Sequence, residues 1–414
     1  MHNAPFVVYL KLIRGDKHMA RLTGTVAKGL RTPIIREGDD LIKIVVDTVV
    51  GAEKAGEFKI GEKDIIAVTE AVLARAQGNY ATIDQIAEDI KRKFSGGEIG
   101  LVFPILSRNR FAVCLRGIAR GVKKITLMLS YPADEVGNQL VSLDDIDKKN
   151  INPYSDVLTE EEFNKAFGAT KHTFTGVNYV DYYKKLIEDE NAKAEVIFGN
   201  DARKILKYTD SILACDIHSR KRTKRLLLEG GARLVLGLED ILTESVSGSG
   251  YNGLYGLLGS NKATEDKVKL FPTGCEPFVH EIQKRIKDMT GKSVEVMVYG
   301  DGAFRDPVGG IWELADPVVS PGYTSGLSGT PNEVKLKYLA DNEFAHLSGS
   351  ALDAALADYI KNKAAGAKNE MVSQGTTPRR LTDLIGSLCD LTSGSGDKGT
   401  PIVYIQGYFD NFAV

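Results

Sequence analysis

An acidic residue framed by two glycines follows a strongly apolar stretch in the second half of the chain. The stretch VEVMVY spans residues 294–299, and Gly300, Asp301 and Gly302 come directly after it. A valine-rich strand that stops at a glycine-flanked acid holds a carboxylate at the rim of a sheet. Asp301 and the nearby Arg305 are residue types that bind a hard cation and a phosphate, respectively. The alternative is an ordinary turn between two strands, with Arg305 paired to a local acid.

Elements in the first part of the chain can carry further polar residues to such a rim. Residues 31–41, RTPIIREGDDL, combine an X-Pro kink with a Gly-Asp-Asp helix start, and the helical pattern continues through Val46 and Val49. Residues 64–68, DIIAV, have the composition of a buried strand. A helical pattern follows this strand and carries Arg75.

Strand-like and helix-like segments alternate in the middle of the chain. The pattern predicts strands at 125–130, 195–198, 211–216 and 233–237, and helices at 201–208 and 219–228. Alternation of this kind predicts right-handed crossovers and a parallel sheet. The chain as a whole is therefore predicted to have a mixed α/β (α+β) fold.

Five basic residues crowd the helix that is predicted to begin after Ser219. Its first six residues, 220–225, read RKRTKR. Such a run is typical of a solvated helix face. The alternative is a site for a phosphate or a polycarboxylate, with Asp216 and His218 at the end of the preceding strand. A single basic patch on a chain of net charge −2 does not predict nucleic-acid binding.

A literal GxGxxG occurs at Gly248, Gly250 and Gly253. A dinucleotide fingerprint requires a strand before this motif and a helix after it. Further glycines at positions 256 and 259 would disrupt such a helix, and LEDILTESV is not a clean buried strand. A loop whose backbone approaches a ligand closely is the preferred interpretation, and a dinucleotide-dependent oxidoreductase is the less favoured alternative.

Composition excludes several classes of protein. With 414 residues the chain can form two domains, or one large core with an insertion. No apolar run is long enough to span a bilayer. The four cysteines are far apart and the six histidines lack metal-ligand spacing, which predicts reduced thiols in a cytoplasmic protein and no zinc site.

Six short segments, taken in order, point to one family. They are TPII with GDDL at 32–41, IIAVTEAVLARAQGN at 65–79, SGSGYNGLY at 247–255, KLFP at 269–272, VYGDGAFRD at 298–306 and PIVYIQG at 401–407. In this order they resemble the γ-glutamyl ligase of coenzyme F-420, which adds glutamate to the deazaflavin cofactor precursor. The resemblance covers about residues 22–100 and 235–410.

The resemblance implies an amide ligase that uses GTP or ATP together with Mg²⁺ or Mn²⁺. Such an enzyme activates the carboxylate of a small acidic acceptor as an acyl phosphate and joins it to an amino acid, here expected to be glutamate. Asp301 and Arg305 are implied as catalytic residues, and Asp301 and Asn252 as metal ligands. The implied nucleotide-binding residues are Thr32, Pro33, Ile34, Ile35, Glu70, Arg75 and Tyr255. A homodimer is also implied.

The chain departs from the family pattern at two of these positions. Asn252 stands where the family has an acid, and Glu70-Ala71 replaces a Ser-Lys pair, which removes a cation. A weakened metal set keeps open a second hypothesis, a non-catalytic nucleotide- or cofactor-binding protein on the same fold. The middle region has no counterpart in the resemblance. The predicted organisation is therefore a ligase core at 1–103 and 235–414, with an α/β region inserted at 104–234.

Overall fold

Two large sheets, each with helices packed on both faces, form the framework of the fold. The structure is a computed structural model that describes residues 23–173, 175–302, 316–363, 379–393 and 396–413. The strands are β1 (Val26–Leu30), β2 (Ile65–Thr69), β3 (Tyr80–Thr82), β4 (Glu98–Val102), β5 (Lys124–Leu129), β6 (Leu158–Thr159), β7 (Lys193–Phe198), β8 (Ser211–Ala214), β9 (Leu234–Gly237), β10 (Asn261–Thr264), β11 (Lys267–Lys269), β12 (Glu295–Tyr299), β13 (Gly322–Tyr323) and β14 (Ile402–Gln406).

Helices connect these strands. They are α1 (Leu41–Lys54), α2 (Glu70–Ala76), α3 (Ile83–Phe94), α4 (Ala112–Arg120), α5 (Leu143–Lys149), α6 (Glu160–Phe167), α7 (Tyr179–Asp189), α8 (Arg220–Glu229), α9 (Cys275–Thr290), α10 (Leu336–Asp341), α11 (Ser350–Asn362) and α12 (Leu381–Ser393). The Asp40 side chain caps α1 by accepting from the Lys43 amide at 3.0 Å, as the Gly-Asp-Asp helix start predicts.

The first sheet has five strands in the order β1-β14-β2-β12-β13. Its two central strands, β2 and β12, run parallel, and Thr69 lies opposite Tyr299 at their shared carboxyl end. Because side chains alternate along a strand, Ile66 and Val68 pack against α1 and α9 while Ile65 and Ala67 pack against α12. The sheet is therefore buried on both faces, which explains why its central strands are almost wholly apolar.

The second sheet has six strands in the order β6-β7-β5-β4-β8-β9. All of its pairings are parallel except the one between β6 and β7. This confirms the predicted parallel sheet of the middle region. The chain runs outward from β4 through β5 to β7 on one side, and then from β8 to β9 on the other. The point where the strand order reverses lies between β4 and β8, and crevices that bind ligands commonly form there.

The six-stranded sheet extends across both predicted domain boundaries. Strand β4 lies before residue 104, and β9 crosses the boundary at 234. The sequence pattern predicts no strand at Glu98–Val102, which is in fact one of the two central strands of this sheet. The division into a ligase core and an insertion stays a prediction.

Strands β10, β11 and β3 form a small antiparallel sheet. In the sequence, β3 lies between β2 and β4, and β10 and β11 lie between β9 and β12.

All four cysteines are buried and unpaired. In the part of the chain that the structure describes, no helix is long and apolar enough to cross a membrane.

Candidate active site

A cleft of about 430 Å³ opens at the carboxyl ends of β2 and β12. Both strands are parallel and adjacent, so the residues that follow them meet at one edge of the sheet. The cleft is lined by Thr32, Pro33, Ile34, Ile35, Thr69, Glu70, Ala71, Val72, Arg75, Asn261, Tyr299, Gly300, Asp301, Asp390, Ser393, Gly399, Thr400 and Pro401. Residues from six separate parts of the sequence therefore form a single surface.

Asp301 lies at this edge directly after β12, as the strand pattern followed by Gly-Asp-Gly predicts. Its backbone amide donates to Asp316 Oδ2 at 2.7 Å. This contact depends on Gly300, because a Cβ atom there would lie 2.1 Å from Asp316 Oδ2. The glycine before the acid thus allows a second carboxylate to approach, which is a more specific role than that of an ordinary turn residue.

The Asp301 carboxylate accepts from Arg110, a residue that no sequence motif identifies. The other nitrogen of the same guanidinium, Nη1, donates to Asp316 Oδ1 at 2.9 Å. Burial lowers the pKa of Arg110, but the carboxylates of Asp316 and Asp301 outweigh this effect and the pKa is raised overall. Arg110 is therefore positively charged beside Asp301.

A second buried ion pair adjoins the cleft. Lys269 Nζ lies 2.7 and 2.8 Å from the two carboxylate oxygens of Glu70. Burial raises the pKa of Glu70, and Lys269 opposes that shift. Both carboxylate oxygens of Glu70 are thus paired with Lys269, and Glu70 lies on the cleft wall. Its part in nucleotide binding stays a prediction.

Most of the predicted nucleotide-binding residues meet Asp301 around this cleft. The segment Thr32–Ile35 forms one wall, and the side chain of Ile34 is 77% exposed. Arg75 lies on the exposed face of α2, also on the cleft wall. Arg305 lies outside the described residues.

Asn252 and Tyr255 do not line the cleft. The side-chain amide of Asn252 donates to the carbonyls of Phe271 and Pro272 at 3.1 and 3.0 Å. Its Oδ1 accepts from the amides of Leu254 and Tyr255, both at 2.9 Å. Because these four hydrogen bonds use the polar atoms of a buried side chain, the structure gives Asn252 a role in shaping the loop and does not place it on the cleft wall with Asp301.

The glycine-rich loop packs against the segment that follows α2. The Gly250 amide donates to Tyr80 O at 2.7 Å, and the Tyr251 amide donates to Asn79 Oδ1 at 2.9 Å. A Cβ atom on Gly250 would lie 2.3 Å from Asn79 Oδ1. Residues 247–259 form turns followed by β10 and not by a helix, so the arrangement of a dinucleotide fingerprint is not met.

The carboxylates at the cleft, together with Asp316 beside it, do not form a metal site as they stand. Asp301, Asp316 and Asp390 offer oxygen atoms, the donor type that Mg²⁺ and Mn²⁺ prefer. Arg110 engages the first two, however, and Asp390 Oδ2 accepts from the Gly302 amide at 3.1 Å. Among the residues that the structure describes, no group of three or more His, Cys, Asp or Glu side chains is placed to hold a metal ion.

The basic run on α8 is largely paired with acids. Lys224 Nζ lies 3.1 Å from Glu239 Oε1, and Arg225 pairs with Glu229 on the same helix. Asp216 is buried beneath the start of this helix, where burial raises its pKa to about 6. These contacts favour a solvated, salt-bridged helix face over a phosphate site.

Comparison with known proteins supports the family suggested by the order of the sequence motifs. The chain matches the family model of F420-0:gamma-glutamyl ligase over residues 29–407. No curated protein matches the chain. The family match runs through the middle region as well as the two outer parts, and it includes every described residue that lines the cleft. Because it spans nearly the whole length, the chain belongs to the F420-0:gamma-glutamyl ligase family.

Proposed function

We propose that this protein is a nucleotide- and divalent-metal-dependent amide ligase that joins an amino acid, glutamate in the first instance, to a small acidic acceptor. The acceptor carboxylate attacks the γ-phosphorus of GTP or ATP, and the nucleoside diphosphate leaves. The amine of the amino acid then attacks the acyl carbon of the resulting acyl phosphate, loses a proton and releases phosphate. Membership of a ligase family supports the reaction class.

One observation carries the proposal: the segments expected to contact the nucleotide converge with Asp301 on one cleft. Thr32–Ile35, Arg75 and Asp301 come from three distant parts of the sequence. In this proposal Thr32–Ile35 lie along the base or ribose, and Arg75 faces a phosphate. Asp301 is the catalytic carboxylate, and Arg305 acts with it on sequence grounds alone.

The requirement for Mg²⁺ or Mn²⁺ is part of the proposal, and we derive no catalytic step through the metal. The requirement rests on the family resemblance and on the position of Asp301 at the cleft. Asn252 is left out of the proposed metal ligands because its hydrogen bonds hold the loop together.

The proposal is tested by incubating the purified chain with GTP or ATP, Mg²⁺ or Mn²⁺, a panel of amino acids, and F420-0 or other carboxylic acids as acceptors. Phosphate release and product mass are measured. We expect one combination to release phosphate and to yield an acceptor heavier by one amino-acid residue. Absence of both signals across the panel, from a protein with a cooperative thermal transition, would contradict the proposal.

The ion pairs at the cleft support one rival, a nucleotide- or cofactor-binding protein without turnover. Arg110 pairs with both Asp301 and Asp316 without a metal. Titration calorimetry with GTP or ATP, with and without Mn²⁺, separates the two functions. Tight binding that is independent of metal, together with no phosphate release, would favour the rival.

A further inference from the structure

Arg110 extends from the six-stranded sheet to Asp301, one of the residues that line the cleft. It lies on the connection from β4 to α4, at the carboxyl end of the strand beside the reversal in strand order. This connection is anchored by hydrogen bonds from the Leu106 amide to Asp134 Oδ2 and from the Ser107 amide to the hydroxyl of Tyr183, both at 2.8 Å. The backbone beneath Arg110 is thus fixed, so a change of partner would involve mainly its long side chain.

The guanidinium stands between two carboxylates that would otherwise repel one another. Asp316 is almost fully buried, with 3% of its side chain exposed, and Asp301 is partly exposed at 29%. Glu70 adds a further negative charge that acts on Arg110. Carboxylates held this close require a cation, and in this structure Arg110 supplies it.

We propose that Arg110 is a built-in counter-ion that competes with a divalent cation for Asp301 and Asp316, and that a bound phosphate group draws it away. This inference rests on the proposed function. Removing Arg110 from its carboxylates without a new anion would leave a buried charge unpaired, which is costly. A nucleotide phosphate offers the same two-point partner that a carboxylate does. Metal and nucleotide should therefore bind cooperatively, each favouring the other.

The test measures Mn²⁺ affinity by titration calorimetry or electron paramagnetic resonance, with and without a non-hydrolysable GTP analogue. For the unmodified chain we expect the analogue to tighten Mn²⁺ binding by at least about tenfold. Arg110→Gln should bind Mn²⁺ alone at least about tenfold more tightly than the unmodified chain, and the analogue should no longer add much. Equal or weaker Mn²⁺ binding by Arg110→Gln would overturn the inference.

Arg108→Gln is the matched control, because Arg108 is an exposed arginine two residues away on the same connection. It should leave Mn²⁺ affinity and its coupling to the analogue unchanged. Arg110→Lys is the second variant should Arg110→Gln fail to fold. A lysine keeps the charge but not the two-point geometry, so it should bind Mn²⁺ alone more tightly than the unmodified chain does. No change in Arg110→Lys would also count against the inference.

Failure of this inference and failure of the proposed function give different results. Tighter Mn²⁺ binding by Arg110→Gln, with no phosphate release from any substrate combination, would support the counter-ion role of Arg110 and contradict the ligase activity. Phosphate release by the unmodified chain, with Mn²⁺ affinity that does not change in Arg110→Gln, would support the ligase activity and contradict the counter-ion role of Arg110.

Discussion

At the scale of single residues, the cleft shows why a motif does not by itself assign a role. Asp301 and Asn252 are both implied as metal ligands, yet only Asp301 lies at the cleft. The sequence can place Asp301 because a local pattern, a buried strand followed by Gly-Asp-Gly, decides its position. The orientation of the Asn252 side chain depends on the positions of the carbonyls of Phe271 and Pro272, about twenty residues away. No local sequence pattern contains that information.

Replacing Asn252 by aspartate tests this assignment. The substitution restores the family's acid but removes two donors and sets a negative charge against two carbonyl oxygens. We expect Asn252→Asp to lower the free energy of unfolding by about 1–3 kcal/mol, measured by denaturant titration, and to leave Mn²⁺ affinity unchanged. A stable variant with much tighter Mn²⁺ binding would instead restore Asn252 to the metal site.

Asp216 makes the free energy of unfolding of the protein depend on pH. Its Oδ2 accepts from the hydroxyls of Ser219 and Thr223, both at 2.7 Å, but burial dominates and its pKa is about 6, with a small contribution from Glu135. An unfolded aspartate has a pKa of about 3.9. Because the folded pKa is the higher one, the stabilisation is fully present below about pH 4 and is lost as the pH rises through about 6.

Asp216→Asn should remove the contribution of this residue to the pH dependence of stability, since asparagine does not titrate. Between pH 4 and pH 7.5 the free energy of unfolding of the variant, relative to the unmodified chain, should rise by about 3 kcal/mol, the value of a shift of roughly two pKa units. Denaturant titrations of both proteins across this range measure the difference. A constant difference would show that Asp216 does not titrate as described.

At the scale of elements, regular patterns predict well and long-range contacts do not. The periodicity of the middle region predicts β5, β7, β8 and β9, and each predicted strand end lies no more than two residues from the observed one. The same pattern also predicts the parallel sheet. The sequence does not predict the role of Arg110, because that role depends on a long-range contact. Arg110 lies on the connection that follows β4 of the six-stranded sheet, whereas its partner Asp301 follows β12 of the five-stranded sheet. The one available signal is its place after a buried strand, in the segment SRNR that follows β4.

The glycine-rich loop offers a prediction at this scale. Gly250 packs against Asn79 and Tyr80, whereas a Cβ atom on Gly253 would meet only Thr243 O, at 3.8 Å. Gly250→Ala should therefore cost about 1–3 kcal/mol of stability through overpacking, and Gly253→Ala, its control, should cost much less. Thermal unfolding of the two variants provides the comparison. Equal transition temperatures would show that the loop is not closely packed on this segment.

At the scale of the whole molecule, the two large sheets meet at Asp301. The five-stranded sheet supplies Asp301 and the cleft wall beside β2, and the connection that follows β4 of the six-stranded sheet supplies Arg110, which pairs with Asp301. The predicted insertion at 104–234 therefore contains a residue that contacts the proposed catalytic carboxylate. The homodimer implied by the family resemblance stays a prediction, which light scattering can test against the chain mass of 45.1 kDa.

The most direct test of the central claim, that Asp301 at this cleft carries the ligase reaction, is nucleotide-dependent phosphate release by Asp301→Asn. We expect the rate to fall by at least about a hundredfold, the usual effect of removing a group that stabilises the transition state, while the transition temperature changes little. Asp189→Asn, which alters an exposed acid paired with Lys185 at the end of α7, is the control and should retain full activity. Undiminished phosphate release by Asp301→Asn would contradict the account and place the reaction elsewhere.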